Sequence, residues 1–457
     1  MTKRTIETLN PATGLPRAVF SLLDDAALEQ RLALAHAATA QARKTPLSDR
    51  LSWLQNAARL LRERRTTLAA IMTDEMGKPL AAAEGEIEKC AWVCEFYAQN
   101  AERFLQDQPV STTASRSFVR PLPLGVILAV MPWNFPFWQV FRFAAPALVA
   151  GNVVLLKHAP NTFECSLAIE QLLIDAGVPA ALFQSLLIDV DQTQRLLADE
   201  RVAAATLTGS ERAGAAVAGT AGTHLKKVVL ELGGSDAFIV MPSADLDAAV
   251  EAACRGRLQN SGQSCIAAKR MIVHEAVYDE FVGKLIEGFS KHVVGDPTDP
   301  ATTLGPLATQ AILDSVNQQV SETVSAGARL RSTGVSIPEQ GFFCAPAILE
   351  DVPLDAPAAG DEVFGPVASV FRVATFEDAI SLANRSRYGL GSVLFSQDAQ
   401  EIEHAFSAID AGATFINTIT ASDPRIPFGG IKASGYGREL ADIGMYEFMN
   451  LKTCWVS

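Results

Sequence analysis

Apolar and polar positions follow two patterns along this chain, one typical of helices and one of buried strands. From residue 25 to about residue 103, apolar residues recur at helical spacing among Ala, Glu and Arg, which predicts a mostly helical region. Short continuous apolar runs follow at residues 125–131 and 152–156, separated by a helical stretch at residues 138–149. Such runs are typical of parallel strands buried on both faces, so the pattern predicts an α/β fold.

This alternation continues in two series along the chain. The first series has predicted helices at residues 163–176 and from residue 211, with strands at residues 204–207 and 227–231. The second has predicted strands at residues 237–240 and 271–273, with helices at residues 244–257 and 277–291. Repeated βαβ units predict two doubly wound domains, and we place their junction near Gly233 and Gly234. A length of 457 residues, above the size at which one core stops growing, agrees with two domains.

The charge balance excludes some classes of partner. The chain has 38 basic and 51 acidic residues, a net charge of −13, which disfavours binding to nucleic acid or to an anionic membrane. A small molecule is therefore the expected partner. Because the same charge repels anions weakly, a substrate that carries a carboxylate would need a dedicated cation near the chemistry.

The number and spacing of the cysteine and histidine residues bear on the cellular location of the protein and on whether it uses a catalytic metal. The 7 cysteines are an odd number scattered over a long chain, unlike a secreted disulfide framework. The first residues lack the apolar stretch of a signal peptide, so we expect a cytoplasmic protein. The 6 histidines show no metal-ligand spacing, and we expect no catalytic metal.

One segment could bind a phosphate. Gly209 and Ser210 lie where a predicted strand gives way to a helix, although the chain lacks the G-x-G-x-x-G turn of many dinucleotide-binding domains. Free N–H groups at a helix start attract a pyrophosphate. Ser210 is equally suited to cap that helix without binding anything, so both interpretations stay open.

Three polar residues occupy positions suited to catalysis. Cys265 lies in a loop between a predicted helix and strand, and could be a nucleophile or an inert core residue. Glu231 ends an apolar strand, where burial would raise its pKa toward that of a useful base. Asn134 lies in a turn bracketed by prolines after another strand, and could stabilise an oxyanion or cap the next helix.

Together these segments resemble the aldehyde dehydrogenase superfamily, and the resemblance covers nearly the whole chain. The matching motifs are PWNFP at residues 132–136, TGS at 208–210, ELGG at 231–234, GQSC at 262–265 and EVFGPV at 362–367, with EMGKP at 75–79 and PFGGIK at 427–432. Within the superfamily the chain is most similar to bacterial succinate-semialdehyde dehydrogenases that use NAD(P)+. The resemblance implies oxidation of an aldehyde to a carboxylic acid, with succinate semialdehyde as the expected substrate.

The resemblance assigns catalytic roles to the three candidates. Cys265 matches the nucleophile that forms a thiohemiacetal and then a thioester. Asn134 matches the amide that holds the oxyanion, together with the backbone N–H of Cys265. Glu231 matches the base that activates the hydrolytic water.

The resemblance also assigns residues to the cofactor, NAD or NADP. The implied contacts are Lys157 to the adenosine ribose, Trp133, Gly209 and Ser210 around the pyrophosphate, and Glu362 and Phe364 to the nicotinamide ribose and ring. NAD-selective relatives often have Glu three residues after this lysine, where this chain has Pro160. The sequence therefore leaves the choice between the two cofactors open.

The expected substrate site includes Trp138, Arg142 and Phe428. Trp138 and Arg142 are one helical turn apart and share a face just beyond Asn134. In relatives that resemble succinate-semialdehyde dehydrogenases, arginine at this position implies a bidentate contact with the far carboxylate. A second arginine of some members is Gln259 here. A surface or inter-subunit ion pair is the alternative for Arg142.

The family architecture implies two Rossmann-like domains and a small β arm. We expect residues 1–103 and 124–233 to form the cofactor-binding domain, residues 234–448 the catalytic domain, and residues 104–123 with 449–457 the arm. The exposed arm strands would pair with another subunit, giving a homodimer or a dimer of dimers. The open alternatives are an enzyme for other aldehydes, a CoA-acylating aldehyde dehydrogenase, and a protein that kept the fold but lost the chemistry.

Overall fold

The computed structural model describes residues 4–457. The protein has two large, mainly parallel sheets covered by helices, and smaller antiparallel sheets. The strands are β1 (Thr5–Leu9), β2 (Pro16–Ser21), β3 (Gln108–Pro109), β4 (Arg116–Pro123), β5 (Val126–Met131), β6 (Val153–His158), β7 (Phe183–Ser185), β8 (Val202–Thr208), β9 (Lys227–Glu231), β10 (Asp236–Val240), β11 (Ala268–His274), β12 (Arg329–Ser332), β13 (Ala347–Glu350), β14 (Val367–Val373), β15 (Tyr388–Gly389), β16 (Gly391–Phe395), β17 (Ala413–Ile416), β18 (Ile431–Lys432), β19 (Gly435–Tyr436) and β20 (Met449–Val456). The helices are α1 (Asp25–Lys44), α2 (Leu47–Glu63), α3 (Arg65–Met76), α4 (Leu80–Phe104), α5 (Trp138–Ala150), α6 (Phe163–Asp175), α7 (Val190–Ala198), α8 (Glu211–Thr223), α9 (Leu246–Leu258), α10 (Glu275–Ser290), α11 (Gln310–Ser325), α12 (Pro357–Gly360), α13 (Phe376–Asn384), α14 (Ala399–Ala408) and α15 (Ala441–Tyr446). Two short 3-10 segments, Pro160–Thr162 and Gln259–Gly262, complete the secondary structure.

The first large sheet has the order β19-β9-β8-β5-β6-β7 and is parallel except for β19. Within this sheet, β5 is the first strand along the chain. β6 and β7 follow on one side of it, and the chain then crosses back so that β8 and β9 lie on the other side. The strands are nearly completely buried because helices cover both faces. This is a doubly wound sheet with a switch point between β5 and β8, where ligands bind at the carboxyl edge.

The second large sheet has the order β12-β13-β14-β11-β10-β16-β17 and is parallel except for β12. Its core includes Phe238, Val240, Met271 and Phe281, each completely buried. In this sheet too, the first strand along the chain, β10, lies near the centre, and later strands lie on both sides of it. The predicted α/β class with two doubly wound domains is thus confirmed.

A smaller antiparallel sheet is formed by β20, β4 and β3 in that order. β20 pairs with β4 along its whole length, from Met449 opposite Pro123 to Val456 opposite Arg116. Leu451 and Trp455 on β20 are 49% and 53% exposed. This sheet corresponds to the predicted arm.

The C-terminal part of the chain returns to the first sheet before it enters the arm. β19 pairs with β9, with Gly435 opposite Glu231, and Leu440 and Phe448 pack in the same core as β5 and β6. The predicted boundaries placed this stretch in the catalytic domain, which ended at residue 448. The domain boundaries themselves remain a prediction, but this segment packs on the other sheet.

No helix within residues 4–457 is both long enough and apolar enough to span a bilayer.

Candidate active site

A cavity of about 240 Å³ opens at the carboxyl edge of the first sheet, at its switch point. It is lined by Pro132, Trp133, Asn134, Gln139, Thr208, Gly209, Ser210, Leu232, Gly233, Cys265, Glu362 and Phe364. The loops that follow β5 and β8 supply one wall, while Cys265 comes from the loop before β11 of the second sheet. A larger groove of about 800 Å³ around Tyr278, Arg372 and Asp378 contains no cysteine and none of the predicted site residues.

Cys265 is half-buried in this cavity next to a lysine that the sequence did not point to. Lys269 donates hydrogen bonds from Nζ to the carbonyl oxygens of Ser264 (2.7 Å) and Cys265 (2.8 Å). Burial raises the pKa of the Cys265 thiol to about 12, and the ammonium of Lys269 is the strongest opposing influence. The thiol is therefore protonated at neutral pH unless another group takes its proton.

Asn134 is held by backbone and side-chain contacts on two sides. Its Nδ2 donates to the Gln263 carbonyl (3.1 Å), and its own carbonyl accepts from Asn260 Nδ2 (2.8 Å) and Lys78 Nζ (3.0 Å). Lys78 also forms a completely buried ion pair with Glu86. The Asn134 amide therefore sits on the wall of the cavity that contains Cys265, fixed by long-range contacts.

Glu231 ends β9 with its carboxylate 2% exposed. Neither of its carboxylate oxygens accepts a hydrogen bond from any residue in the described range 4–457. Burial raises the pKa of Glu231 well above its usual value, and Arg142 opposes that rise. Gly429 lies so close that a Cβ there would be 2.5 Å from Glu231 Oε1, so this position requires glycine. Glu231 is thus a buried carboxyl group without a hydrogen-bond donor, and its role as a general base remains a prediction.

Arg142 is buried and already paired. Its guanidinium forms an ion pair with Glu439, and both side chains are 3% exposed. Its Nη2 donates to Thr208 Oγ1 (3.3 Å), and its Cζ lies 4.7 Å from the centre of the Phe428 ring. The surface or inter-subunit ion pair considered for Arg142 is therefore wrong, because the pair is internal. Direct contact with a substrate would require this pair to open.

Trp138 lies at the start of α5 and is 4% exposed. Its ring faces Lys89 of α4, whose Nζ is 4.2 Å from the ring centre. Arg142 contacts Phe428 and Trp138 contacts Lys89, but none of the three predicted substrate residues lines the 240 Å³ cavity. Their role in substrate binding remains a prediction.

Five of the predicted cofactor residues line the cavity. Gly209 and Ser210 precede α8, where Ser210 Oγ accepts from the Ala213 N–H (3.3 Å) and so caps the helix. The rings of Trp133 and Phe364 meet edge to face with centres 5.7 Å apart. Glu362 contacts Lys269 (3.2 Å) and accepts from the Gly234 N–H (3.1 Å).

Lys157 lies outside the cavity lining, near the end of β6 beside β5. Burial lowers the pKa of Lys157, and Asp189 opposes the effect. Its place on the same carboxyl edge as Gly209 is compatible with a contact to a more distant part of a dinucleotide.

Several residues around the site were not among the residues predicted from the sequence. They are Lys78, Glu86, Lys89, Asn260, Gln263, Lys269 and Glu439. The motifs EMGKP and GQSC contain Lys78 and Gln263, but only the fold brings them to Asn134. A charged residue within an otherwise apolar segment next to a motif is the sequence feature that could have indicated such a residue.

The sequence matches the aldehyde dehydrogenase family over residues 1–454. It is 50% identical over 452 residues, covering 99% of this chain and 100% of the relative, to a probable succinate-semialdehyde dehydrogenase [NADP(+)] of Synechocystis sp.. It is also 50% identical over 455 residues, with 99% and 100% covered, to succinate-semialdehyde dehydrogenase [NADP(+)] 1 of Mycobacterium tuberculosis. The structure is similar to succinic semialdehyde dehydrogenase from Streptococcus pyogenes in complex with NADP+, with a TM-score of 0.96, 39% identity and coverage of 98% and 99%.

Proposed function

Because this chain belongs to the aldehyde dehydrogenase family, we propose that it oxidises succinate semialdehyde to succinate, with NADP+ or NAD+ as hydride acceptor. The observation that carries the substrate assignment is the 50% identity, over nearly full length, to relatives that are named for this reaction. The protein is an NAD(P)-dependent enzyme, and the proposal concerns the aldehyde it prefers and the roles of its residues.

The cavity fits the cofactor in three respects. The N–H groups at the start of α8, after Gly209 and Ser210, suit a pyrophosphate. Glu362 is placed to bind ribose hydroxyls, and the Trp133 and Phe364 rings offer an apolar surface for a flat ring. A Cβ at Gly233 would be 2.6 Å from Glu362 Oε2, so a larger residue there would displace the Glu362 carboxylate. When bound, NAD(P)+ supplies a nicotinamide ring that accepts a hydride.

We assign the chemistry of the chain to three residues. The Cys265 thiol releases its proton to water, and the resulting thiolate attacks the aldehyde carbon to form a C–S bond, while the side-chain amide of Asn134 donates a hydrogen bond to the oxyanion that forms. After that carbon has lost a hydride, a thioester remains on Cys265. Glu231 takes a proton from water, which attacks the thioester carbon. The C–S bond then breaks, succinate leaves, and the sulfur is regenerated.

Succinate semialdehyde carries a carboxylate at the end opposite its aldehyde, so the substrate end of the site must provide positive charge. Arg142 lies on the face of α5 next to Trp138, and the net charge of −13 makes such a cation necessary. Trp138 and Phe428 would contact the methylene groups between the two ends.

We further propose that the arm joins two copies of the chain. β20 is an edge strand, and Leu451, Trp455 and Val456 on it are each about half exposed. An open edge with apolar side chains pairs readily with another strand. A second copy of this chain is the partner that the arm fits.

The function is tested by a steady-state comparison of succinate semialdehyde with butanal, a neutral aldehyde of the same carbon number, with NADP+ and with NAD+. We expect the KM for succinate semialdehyde to be lower by roughly tenfold or more, because a charge-assisted contact contributes about 1.5–3 kcal/mol. NADPH or NADH absorbance reports the rate, and Cys265→Ser is the inactive control. Equal kcat/KM for both aldehydes would overturn the substrate assignment. Formation of an acyl-CoA in place of succinate when CoA is added would overturn the hydrolytic role of Glu231.

A further inference from the structure

Lys269, the second residue of β11, places a buried ammonium beside the proposed nucleophile. Its side chain is 2% exposed, and its Nζ donates to the carbonyl oxygens of Ser264 (2.7 Å) and Cys265 (2.8 Å) and forms an ion pair with Glu362 (3.2 Å). An ammonium has three N–H donors, so these three acceptors engage all of them. Because an apolar residue is often as stabilising as a buried ion pair at the same position, packing alone does not explain this lysine.

Lys269 holds the peptide group that contains the N–H of Cys265. The Ser264 carbonyl and the Cys265 N–H belong to one trans peptide, which is planar, so the two groups point in opposite directions. Lys269 Nζ (2.7 Å) and the Ala267 N–H (3.2 Å) both donate to that carbonyl. The bonds that fix the carbonyl therefore fix the direction of the N–H as well.

The Cys265 N–H itself has no backbone partner. Among residues 4–457 it donates to no carbonyl oxygen of the main chain. An N–H that is held in place but not used is available to a ligand. Because the proposed nucleophile belongs to the same residue, this N–H lies next to the sulfur, and therefore next to an oxyanion formed on the carbon that the sulfur attacks.

The peptide group that follows Cys265 is fixed too. Its carbonyl oxygen lies between Lys269 Nζ and Gly234, where a Cβ would be 2.6 Å from that oxygen. The side-chain amide of Asn134, the other proposed oxyanion donor, uses one of its two N–H groups to bind the Gln263 carbonyl (3.1 Å). Both donors are therefore held in relation to the same short backbone segment.

The charge of Lys269 has a further effect on this N–H. A hydrogen bond from a cation draws electron density toward the carbonyl oxygen and makes the N–H of the same peptide a stronger donor. When the sulfur attacks, the C–S bond forms and the π electron pair of the aldehyde moves onto its oxygen. A stronger donor stabilises this oxyanion more than it stabilises the neutral aldehyde, which lowers the barrier.

We propose that Lys269 is a positioning residue for aldehyde oxidation, which fixes the Cys265 N–H and strengthens it as the second oxyanion donor without contacting the aldehyde. This inference rests on the proposed role of Cys265 as nucleophile, but not on which aldehyde the enzyme prefers. One alternative is that Lys269 acts only through Glu362, the proposed ribose contact. The other is that it acts only on ionisation of the Cys265 thiol, whose raised pKa it opposes.

The test measures two reactions of Cys265, in Lys269→Met and in the unmodified enzyme. Met keeps most of the stem and removes the charge and all three donors. With saturating NADP+ and either succinate semialdehyde or butanal, the single-turnover rate of NADPH formation should fall roughly tenfold or more, since loss of a whole oxyanion donor slows turnover by about 10²–10³. Alkylation by iodoacetamide should slow much less, because displacement at a saturated carbon forms no oxyanion.

Arg270→Met is the matched control. Arg270 is the next residue of β11 and is 3% exposed, but its guanidinium donates on the other side of the strand, to the carbonyls of Ser235 (2.8 Å), Leu382 (2.8 Å) and Ala383 (2.9 Å). Its loss should lower the melting temperature and leave the ratio of the two rates unchanged. Lys269→Arg, which restores the charge and the donors, should recover most of the oxidation rate.

Each outcome decides between these roles. Equal slowing of oxidation and alkylation in Lys269→Met would place the whole effect on the thiol and overturn the inference. An oxidation rate that returns to normal once NADP+ is saturating would also overturn it, because Lys269 would then act only through Glu362. If Lys269→Met does not fold, Lys269→Gln, which keeps a polar group but removes the charge, is judged by the same two rates.

The same measurements separate this inference from the proposed function. Full oxidation by Cys265→Ser would refute the proposed nucleophile and the role of Lys269 together. Equal kcat/KM for the two aldehydes would refute the substrate assignment alone, since both aldehydes form an oxyanion at the same carbon.

Discussion

The thiol of Cys265 lies in an environment that keeps it protonated. Burial raises its pKa to about 12, although Lys269 opposes the effect. Burial also raises the pKa of the proposed base, Glu231, and Arg142 opposes that rise. Loss of the thiol proton is therefore a necessary part of any reaction in which this sulfur acts as a nucleophile.

This environment predicts the pH dependence of alkylation. In the absence of cofactor, modification of Cys265 by iodoacetamide should accelerate about tenfold per pH unit from about pH 7 to about pH 10, because the thiolate fraction rises throughout that range. Peptide mass spectrometry resolves each cysteine. Cys454 on the arm provides an internal reference, and Cys265→Ser identifies the signal. A rate that levels off below about pH 9 would contradict the raised pKa.

At the residue scale, the sequence identified the chemical groups but not their partners. Cys265, Asn134 and the Gly209 turn belong to contiguous motifs, and the structure brings them to one cavity. Arg142 was expected at the substrate, yet its partner Glu439 lies far along the chain, and no local pattern connects the two. Long-range pairs of this kind depend on tertiary folding, which single-sequence patterns do not encode.

At the scale of elements, α4 and α5 together fix the turn that carries Asn134. Glu86 Oε1 accepts from the N–H groups of Phe137 and Trp138 (2.9 Å each) at the start of α5. Lys78, paired with Glu86, donates to the Asn134 carbonyl (3.0 Å). The buried pair therefore fixes the turn that carries Asn134, the residue proposed to hold the oxyanion.

The chain contains a matched control for Glu86. Glu75 is also completely buried and accepts from two N–H groups at a helix start, those of Glu164 (2.8 Å) and Cys165 (2.9 Å) of α6. It contacts neither Asn134 nor the loop of Cys265. Glu75→Gln should lower stability by roughly 1.5–3 kcal/mol, because it weakens charge-assisted bonds at a helix start, and Glu86→Gln by roughly 3–5 kcal/mol, because it also leaves the buried Lys78 without its partner.

Only Glu86→Gln should slow the chemistry. We expect its single-turnover rate of NADPH formation to fall by roughly tenfold or more, since a small displacement of an oxyanion donor has large effects on rate. Cofactor affinity, measured by quenching of tryptophan fluorescence, should not change. Thermal unfolding checks stability, and equal slowing in Glu75→Gln would show that the effect is a general loss of packing.

Elements buried on both faces were the most predictable part of the fold. The strand predicted at residues 227–231 is β9, Lys227–Glu231, and the helix predicted at residues 138–149 is α5, Trp138–Ala150. Continuous apolar runs and helical spacing specify such elements strongly. The two-residue strand β19 lies in a segment dense in glycine, and no apolar pattern predicted that it would pair with β9.

At the scale of the whole molecule, the arm is the surface most suited to association. Its edge strand β20 exposes Trp455 (53%) and Leu451 (49%). Trp455→Asp should shift the particle mass measured by light scattering from that of the oligomer to that of one chain, because a charge on an edge strand opposes pairing. Leu225→Asp, at a residue that is 96% exposed elsewhere on the surface, should leave the mass unchanged. An unmodified protein that is already monomeric would contradict the proposed arm contact.

The segment from Gly429 to Glu439 has a consequence for how the protein is made. It supplies the strand beside Glu231, the glycine against its carboxylate, and the acid that pairs with Arg142. A ribosome synthesises Cys265 long before this segment, so the growing chain carries its sulfur while the surroundings of the base are still missing. If the proposed roles hold, a chain that ends before residue 429 should carry the proposed nucleophile but lack the contacts that surround the proposed base.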